Sequence, residues 1–396
     1  LVTTEQRRMP PRDKGEAVPK DKSAVIERWI KEGAKLDAGI DPKADLVKEL
    51  RVRWQPPAPP KAYPFPVVVN AVAFAPDSKQ LVVGGHHELT VWEPTSGKLV
   101  KRVRTRAERA YGLAFLPDGK LAVAGGRPGQ EGDVRVYDLA AKGKTEDGVE
   151  VLDGVSDKAV LVKHLFDVED SVLCLAVTPD GKTLAAGGCD RAVRVFDLSE
   201  GLDKARLVQT VENHADWVLG CALSADGKYL VTAGRDKTAK VWDVKAKESV
   251  VTFPEHQNIV YAVAVKADGS TGFSVGADKQ VRTWKPSGEG KQVKNAGGHG
   301  DEVFKVVAHP KQPLLATSSA DKTVRLWNAD TLAAGKSLAG LTDYVYAVAF
   351  SPDGELVAAG GYDGGVGVWK VADGSVVKVF NASPGLPAKG PEPKKK

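Results

Sequence analysis

A chain of 396 residues is too long for one ordinary hydrophobic core, and 41 glycines with little helical periodicity after residue 67 point to an all-β protein. The net charge of +5, shared between a basic start and Lys394-Lys395-Lys396, does not suggest a nucleic-acid partner, and no run of about 18 apolar residues could span a membrane. The three cysteines (Cys174, Cys189 and Cys221) have no short spacing, which excludes a CxxC metal site and a full disulfide framework.

Taken in order, the chain opens on Leu1, as a fragment or processed product would, with Met9-Pro10-Pro11 and a polar stretch. Residues 21–34 (DKSAVIERWIKEGA) place Val25, Ile26, Trp29 and Ile30 at helical spacing, with Pro19 and Asp21 favouring the first turn and Gly33 the exit. One amphipathic helix of this length cannot fold alone, so its stripe needs a surface. Residues 37–66 read as a linker whose end, RVRWQPPAPPKAYPFP, is proline-rich and extended, with Trp54, Tyr63 and Phe65 as anchors.

From residue 67 to 381 the chain repeats. Short apolar runs are separated by Asp-Gly turns, and the third run of each unit ends on an aromatic ring: Trp92, Tyr137, Phe196, Trp242, Trp284, Trp327 and Trp369. The separations are 45, 59, 46, 42, 43 and 42 residues. A repeat of about 40–45 residues is the spacing of a four-stranded propeller blade. Each unit is followed by a candidate outer strand, the last being Ser375 to Phe380, and the sequence leaves open whether that strand or an N-terminal one closes the ring. Residues 382–396 read as a disordered basic tail.

These units resemble WD repeats, with Trp242-Asp243, Trp327-Asn328 and Trp284-Lys285 as closing pairs. His214, His256 and His299 each precede an aspartate (Asp236, Asp278, Asp321) by 22 residues. Each aspartate precedes its tryptophan by 6, and Thr232, Ser274 or Thr317 stands 4 before it. The pattern is similar to the family's structural His–Ser/Thr–Asp–Trp tetrad. The resemblance implies a seven-bladed propeller in which each His bridges the Asp and the hydroxyl, and the hydroxyl reaches the indole N–H. A nucleophilic triad is the competing meaning of these residue types; three copies at one spacing favour buried networks. The third and seventh units lack the set, with Val168 and Leu341 at the His position and Ala186 and Ala359 at the hydroxyl position.

Residues 1–36 resemble the end of the c-type cytochrome domain that precedes WD repeats in planctomycete bacterial proteins. That resemblance implies Met9 as a haem axial ligand in the intact protein and a periplasmic location. No Cys-x-x-Cys-His is present, so this chain is expected to hold no haem and no other cofactor.

Aligned on their turns, the units place Asn70, Tyr111, Leu173, Leu219, Tyr261, Phe304 and Tyr346 at the channel mouth, with Trp217, Arg235, Tyr344 and Tyr362 beside them. Exposed aromatics with an arginine are the composition of a binding hot spot. The leading expectation is a monomeric, non-enzymatic scaffold binding a protein or peptide on this top face through Tyr111, Trp217, Arg235, Tyr261, Phe304, Tyr344, Tyr346 and Tyr362. The alternative is a partner module of a periplasmic c-type cytochrome. An enzyme or metal site has little support: there is no phosphate loop, GxSxG or HExxH, and His86-His87 is a lone loop pair.

Overall fold

The computed structural model describes residues 19–33, 45, 49, 51 and 53–387. Met9 and residues 388–396 of the tail lie outside the described residues. The chain divides into two compact units between Gln55 and Pro56. In the first, a helix runs over Lys20–Lys31, entered from Pro19 and left at Gly33, whose φ of 90° suits a residue without Cβ. Its apolar stripe, Val25, Ile26, Trp29 and Ile30, is exposed.

The second unit is all β. The turns explain why its strands start where they do: at Ser224-Ala225-Asp226-Gly227, Gly227 takes a φ of 70°. The Asp226 carboxylate accepts from the Ser224 hydroxyl at 2.6 Å and from the Lys228 N–H at 3.0 Å. The strands on either side then pair antiparallel, Leu223 opposite Leu230. Thr178-Asp180-Gly181 and Ser351-Asp353-Gly354 repeat the device.

The strands make six sheets, five of them four-stranded and the first nine-stranded. The seven separate units expected from the closing aromatics therefore do not all separate. No Gly, Pro or Asn interrupts residues 98–111, and the outer strand of the first unit continues unbroken into the inner strand of the second. This one strand, Lys98–Phe115, pairs with His86–Glu93 along its first half and with Leu121–Arg127 along its second. A hairpin of Lys144–Glu146 and Val149–Asp153 adds to the same sheet, parallel to Lys101–Arg104.

The closing tryptophans pack on the sheet before their own, and Tyr137 packs on Val82, Leu89 and Val91 of the nine-stranded sheet it shares. Trp242 lies among Ala185, Val193 and Val195, Trp284 among Val231, Ala233 and Val241, and Trp327 among Phe273, Val275 and Val281. Trp369 lies among Ala316, Val324 and Leu326. Trp92 completes the circle by packing on Ala358, Val366 and Phe380 of the last sheet. The outermost strand of that sheet is Val376–Asn381, so the C-terminal segment supplies the closing strand itself. Main-chain bonds from Tyr63 N–H to Pro384 and from Val69 N–H to Gly361 lace the two ends together. The first strand of every sheet, with the second half of Lys98–Phe115, lines a central channel of about 410 Å³.

Of the proline-rich stretch, residues 56–66 belong to this second unit. The Arg102 guanidinium donates to the Pro60 carbonyl at 2.7 Å and the Lys61 carbonyl at 3.3 Å, and Arg104 donates to Pro56. Tyr63 is buried and its hydroxyl donates to Glu88 at 2.7 Å, while Phe65 is 76% exposed and anchors nothing. Glu88, 1% exposed, takes both arms of Arg102 at 2.7 and 2.8 Å. Ala382 and Ser383, at the head of the expected tail, are buried, and the Ser383 hydroxyl accepts from the Val67 N–H at 2.8 Å.

Glu88→Ala strands a largely buried guanidinium and the Tyr63 hydroxyl together. The substitution is expected to lower stability by about 3 kcal/mol in urea or thermal unfolding. Tyr63→Phe removes one neutral donor and is expected to cost about 1 kcal/mol. A Glu88→Ala loss no larger than that of Tyr63→Phe counts against the network.

Candidate functional site

The three tetrads have nearly the same geometry. His214 Nδ1 lies 2.9 Å from Asp236 and Nε2 lies 2.7 Å from the Thr232 hydroxyl, which receives the Trp242 indole N–H at 3.2 Å. The corresponding distances are 2.9, 2.7 and 3.2 Å for His256, Asp278, Ser274 and Trp284. They are 2.8, 2.7 and 2.8 Å for His299, Asp321, Thr317 and Trp327. Each hydroxyl is fully buried in the second strand of its sheet. Gly234 has its place because a Cβ there would stand 2.5 Å from the His214 ring. A hydroxyl locked between an imidazole and an indole has no access to a substrate, so these are frame-building groups.

Burial opposes the charge on Asp236, Asp278 and Asp321, and hydrogen bonds overcome it. His214 and Thr238 hold Asp236 far below the carboxylate range, and His256 and Arg282 do so for Asp278. Thr323, the Gly300 N–H and His299 hold Asp321 at about 2. Burial also lowers the pKa of His299, against the pull of Asp321.

A second feature recurs at one end of the channel. In the five four-stranded sheets the inner strand slips register after its first paired residue, between Val172 and Cys174, Val218 and Gly220, Val260 and Ala262, Val303 and Lys305, and Val345 and Ala347, whereas Val72–Phe74 pairs without a slip. The strand Lys98–Phe115 also slips, between Ala110 and Gly112. The residues skipped are Tyr111, Leu173, Leu219, Tyr261, Phe304 and Tyr346. A β-bulge leaves its extra residue without a ladder partner and re-aims the side chain.

Four of those six side chains are aromatic, and three of them touch in a row. Ring centroids lie 5.4 Å apart for Tyr261 and Phe304, 4.8 Å for Phe304 and Tyr346, and 6.3 Å for Tyr346 and Tyr362. The Tyr261 hydroxyl donates to Glu302 at 2.8 Å, and burial with this bond keeps the phenol protonated well past its usual range. Outside the row, rim positions pair through the main chain, Arg235 N–H to Trp217 and Tyr362 N–H to Tyr344. The Arg235 guanidinium lies 4.9 Å from the centre of the Trp217 ring. Trp217 is 39% exposed, Tyr344 42% and Tyr362 53%. Tyr111 lies beside Arg109 and is in none of these ring contacts.

Among the described residues no three His, Cys, Asp or Glu converge to hold a metal ion. His87 is buried at a φ of 56°, and burial and the neighbouring His86 lower its pKa to about 4. His164 meets the Phe166 carbonyl and His309 the Gly354 carbonyl.

The family profile of the WD domain, G-beta repeat, matches residues 158–197, 205–243, 247–285, 290–328 and 335–370. These five segments are WD40 repeats. The chain is also similar to Protein groucho of Drosophila melanogaster, 28% identical over 136 residues, or 34% of this chain and 16% of that protein. It resembles the small ribosomal subunit protein RACK1y of Oryza sativa subsp. japonica, 36% identical over 74 residues, or 19% of this chain and 22% of that protein. The matched parts thus span less than a quarter of either relative.

Sequence reasoning passed over the Glu88–Arg102–Tyr63 network, whose members are scattered singly along the chain. It also passed over the hairpin at Lys144–Asp153, although Asp147-Gly148, with φ of 50° and 78°, is the hairpin signal an alternating sequence offers.

Asp236→Ala is expected to cost about 1–3 kcal/mol by orphaning His214 and Thr238. The acid limb of stability also follows from the lowered pKa values. With the folded Asp321 at about 2 and its ordinary value 3.8, its contribution is complete above pH 4 and is lost as the pH falls towards 2. His299, lowered on folding, adds a loss in the same direction that begins near 6.5. Asp321→Asn should flatten the lower limb in unfolding measured from pH 6 to pH 2; an unchanged slope would refute the assignment.

Proposed function

We propose that this chain is a non-enzymatic scaffold whose WD40 propeller docks a protein or peptide on the face carrying the bulged aromatics. The nine-stranded sheet is counted here as two blades sharing Lys98–Phe115, which brings the propeller to seven. The observation that carries the function is the aromatic row Tyr261–Phe304–Tyr346–Tyr362 with the Trp217–Arg235 pair on the same rim. Rings left half-exposed on rigid strands offer large contact area with little entropy to lose on binding. The tetrads are absorbed into the frame, so neither hydrolysis nor group transfer has a residue set here. The chain acts as a monomer in this proposal. The alternative of a module beside a haem domain rests only on the resemblance of residues 1–36 and on Met9.

The test is selection of peptides from a random library on the immobilised chain, followed by affinities for Trp217→Ala, Tyr362→Ala and, as a control on an outer strand, Val376→Ser. The first two are expected to weaken selected peptides at least tenfold, about 1.4 kcal/mol, with melting temperatures close to wild type. Val376→Ser is expected to leave affinity unchanged. Equal affinities across all variants would move the docking surface elsewhere.

A further inference from the structure

The channel under the aromatic row carries one charge. Its walls are small and apolar, chiefly alanine, valine and glycine from the inner strands, and Lys305 is the sole charged residue lining it. No carboxylate faces it.

The register shows how unusual this lysine is. The first residue after each bulge is Gly112, Cys174, Gly220, Ala262, Lys305 or Ala347. The position is kept small because it is crowded: a Cβ at Gly112 would stand 2.7 Å from that of Leu175, and one at Gly220 would stand 2.9 Å from the Ala262 Cα. A long cationic side chain fits only if its ammonium escapes into the channel. Its influence is felt there. The Cys221 thiol, two inner strands away, is driven up by contact with Cys174 and by burial, and Lys305 pulls against them. Among the described residues Lys305 has no hydrogen-bond or ion-pair partner in the protein. A half-buried ammonium among apolar side chains, with no carboxylate beside it, is an arrangement that an incoming anion stabilises.

Phe304, the middle ring of the aromatic row, immediately precedes Lys305, so the charge sits just inside the mouth that the row borders. Resting on the docking reading above, we infer that Lys305 makes the channel a receptor for a carboxylate carried by the docked partner, either an Asp or Glu side chain or a free C-terminus. The rings hold the apolar body of the ligand, and the channel accepts the anion at its single cation, where one ion pair discriminates between charged and neutral ligands.

The probe is acetate. The full chain and its Lys305→Arg and Lys305→Met variants are titrated with sodium acetate against sodium chloride at constant ionic strength, and the thermal midpoint is followed. Acetate is expected to raise the midpoint of wild type and Lys305→Arg, with half-saturation at roughly millimolar concentration, and to leave Lys305→Met flat. In chloride alone Lys305→Met is expected to melt no lower than wild type. The same acetate response in all three proteins would overturn the inference. So would a Lys305→Met midpoint well below wild type in chloride, because Lys305 would then be a part of the frame. Amidated copies of the library-selected peptides identify the source: loss of binding on amidation means a terminal carboxylate, retention means a side chain. Trp217→Ala and Tyr362→Ala test the docking face separately. If they leave peptide binding intact while acetate still acts through Lys305, the face is rejected and the channel site stands; the converse result rejects the channel site alone.

Discussion

Each sheet of this propeller buries a large ring under its neighbour, and a buried indole N–H has to find an acceptor. The chain meets that requirement in several ways. Thr232, Ser274 and Thr317 supply hydroxyls from the second strand, and a histidine and an aspartate hold each hydroxyl in turn. Trp92 uses Thr90 from its own strand at 2.8 Å. Trp369 finds Ala359 at the hydroxyl position of its sheet and donates instead to the Ala339 carbonyl at 3.0 Å. Where the ring is Phe196 there is no N–H to satisfy, and Ala186 is sufficient; Phe166 stacks on the ring at 5.5 Å. The tetrad is one solution to a requirement that the other sheets meet by simpler means.

The same strands also free one position from the ladder. In six inner strands a slip turns one side chain out of the ladder, so that position is released from the hydrogen-bond pattern that fixes its neighbours. Tyr261, Phe304 and Tyr346 differ from Leu173 and Leu219 there with no change in the surrounding register. The frame therefore tolerates a change of side chain at this position without a change of backbone pairing.

The parts of the fold legible in the sequence are those that repeat. The Asp-Gly turns, the spacing of closing rings and the offset from His214 to Asp236 recur in register, and repetition distinguishes a local coincidence from a rule. What occurs once was hidden. The merging of two units through Lys98–Phe115 depends on the absence of a breaker, a weak signal in a chain with 41 glycines. Glu88, Arg102 and Tyr63 meet from sequence separations of 14 and 25 residues, and nothing local marks them as partners. At the channel mouth the spacing picked seven positions, of which six are skipped in the register and the seventh, Asn70, lies ahead of a strand that pairs without a slip. The spacing could not tell that Tyr111 takes no part in the ring contacts, which depend on side-chain placement.

The first blade shows what substitutes for a tetrad. It has no His–Asp pair, and its outer edge runs on into its neighbour. Glu88, fully buried, ties its third strand to its fourth through Arg102 and to residues 56–66 through Tyr63. In the tetrad blades a buried carboxylate anchors a loop at the sheet's own end; here it anchors a strap from outside the repeat. The ring closes with its own C-terminal strand, so this segment is not needed to complete a sheet. Its role is to cover the buried Glu88, as Thr342 meets the buried Asp363 and Arg106 and Arg127 meet the buried Glu131 in other units that lack the histidine. Arg102 pairs the buried charge, and the proline-rich segment adds the Tyr63 hydroxyl with little backbone entropy to lose, since its prolines already hold it extended.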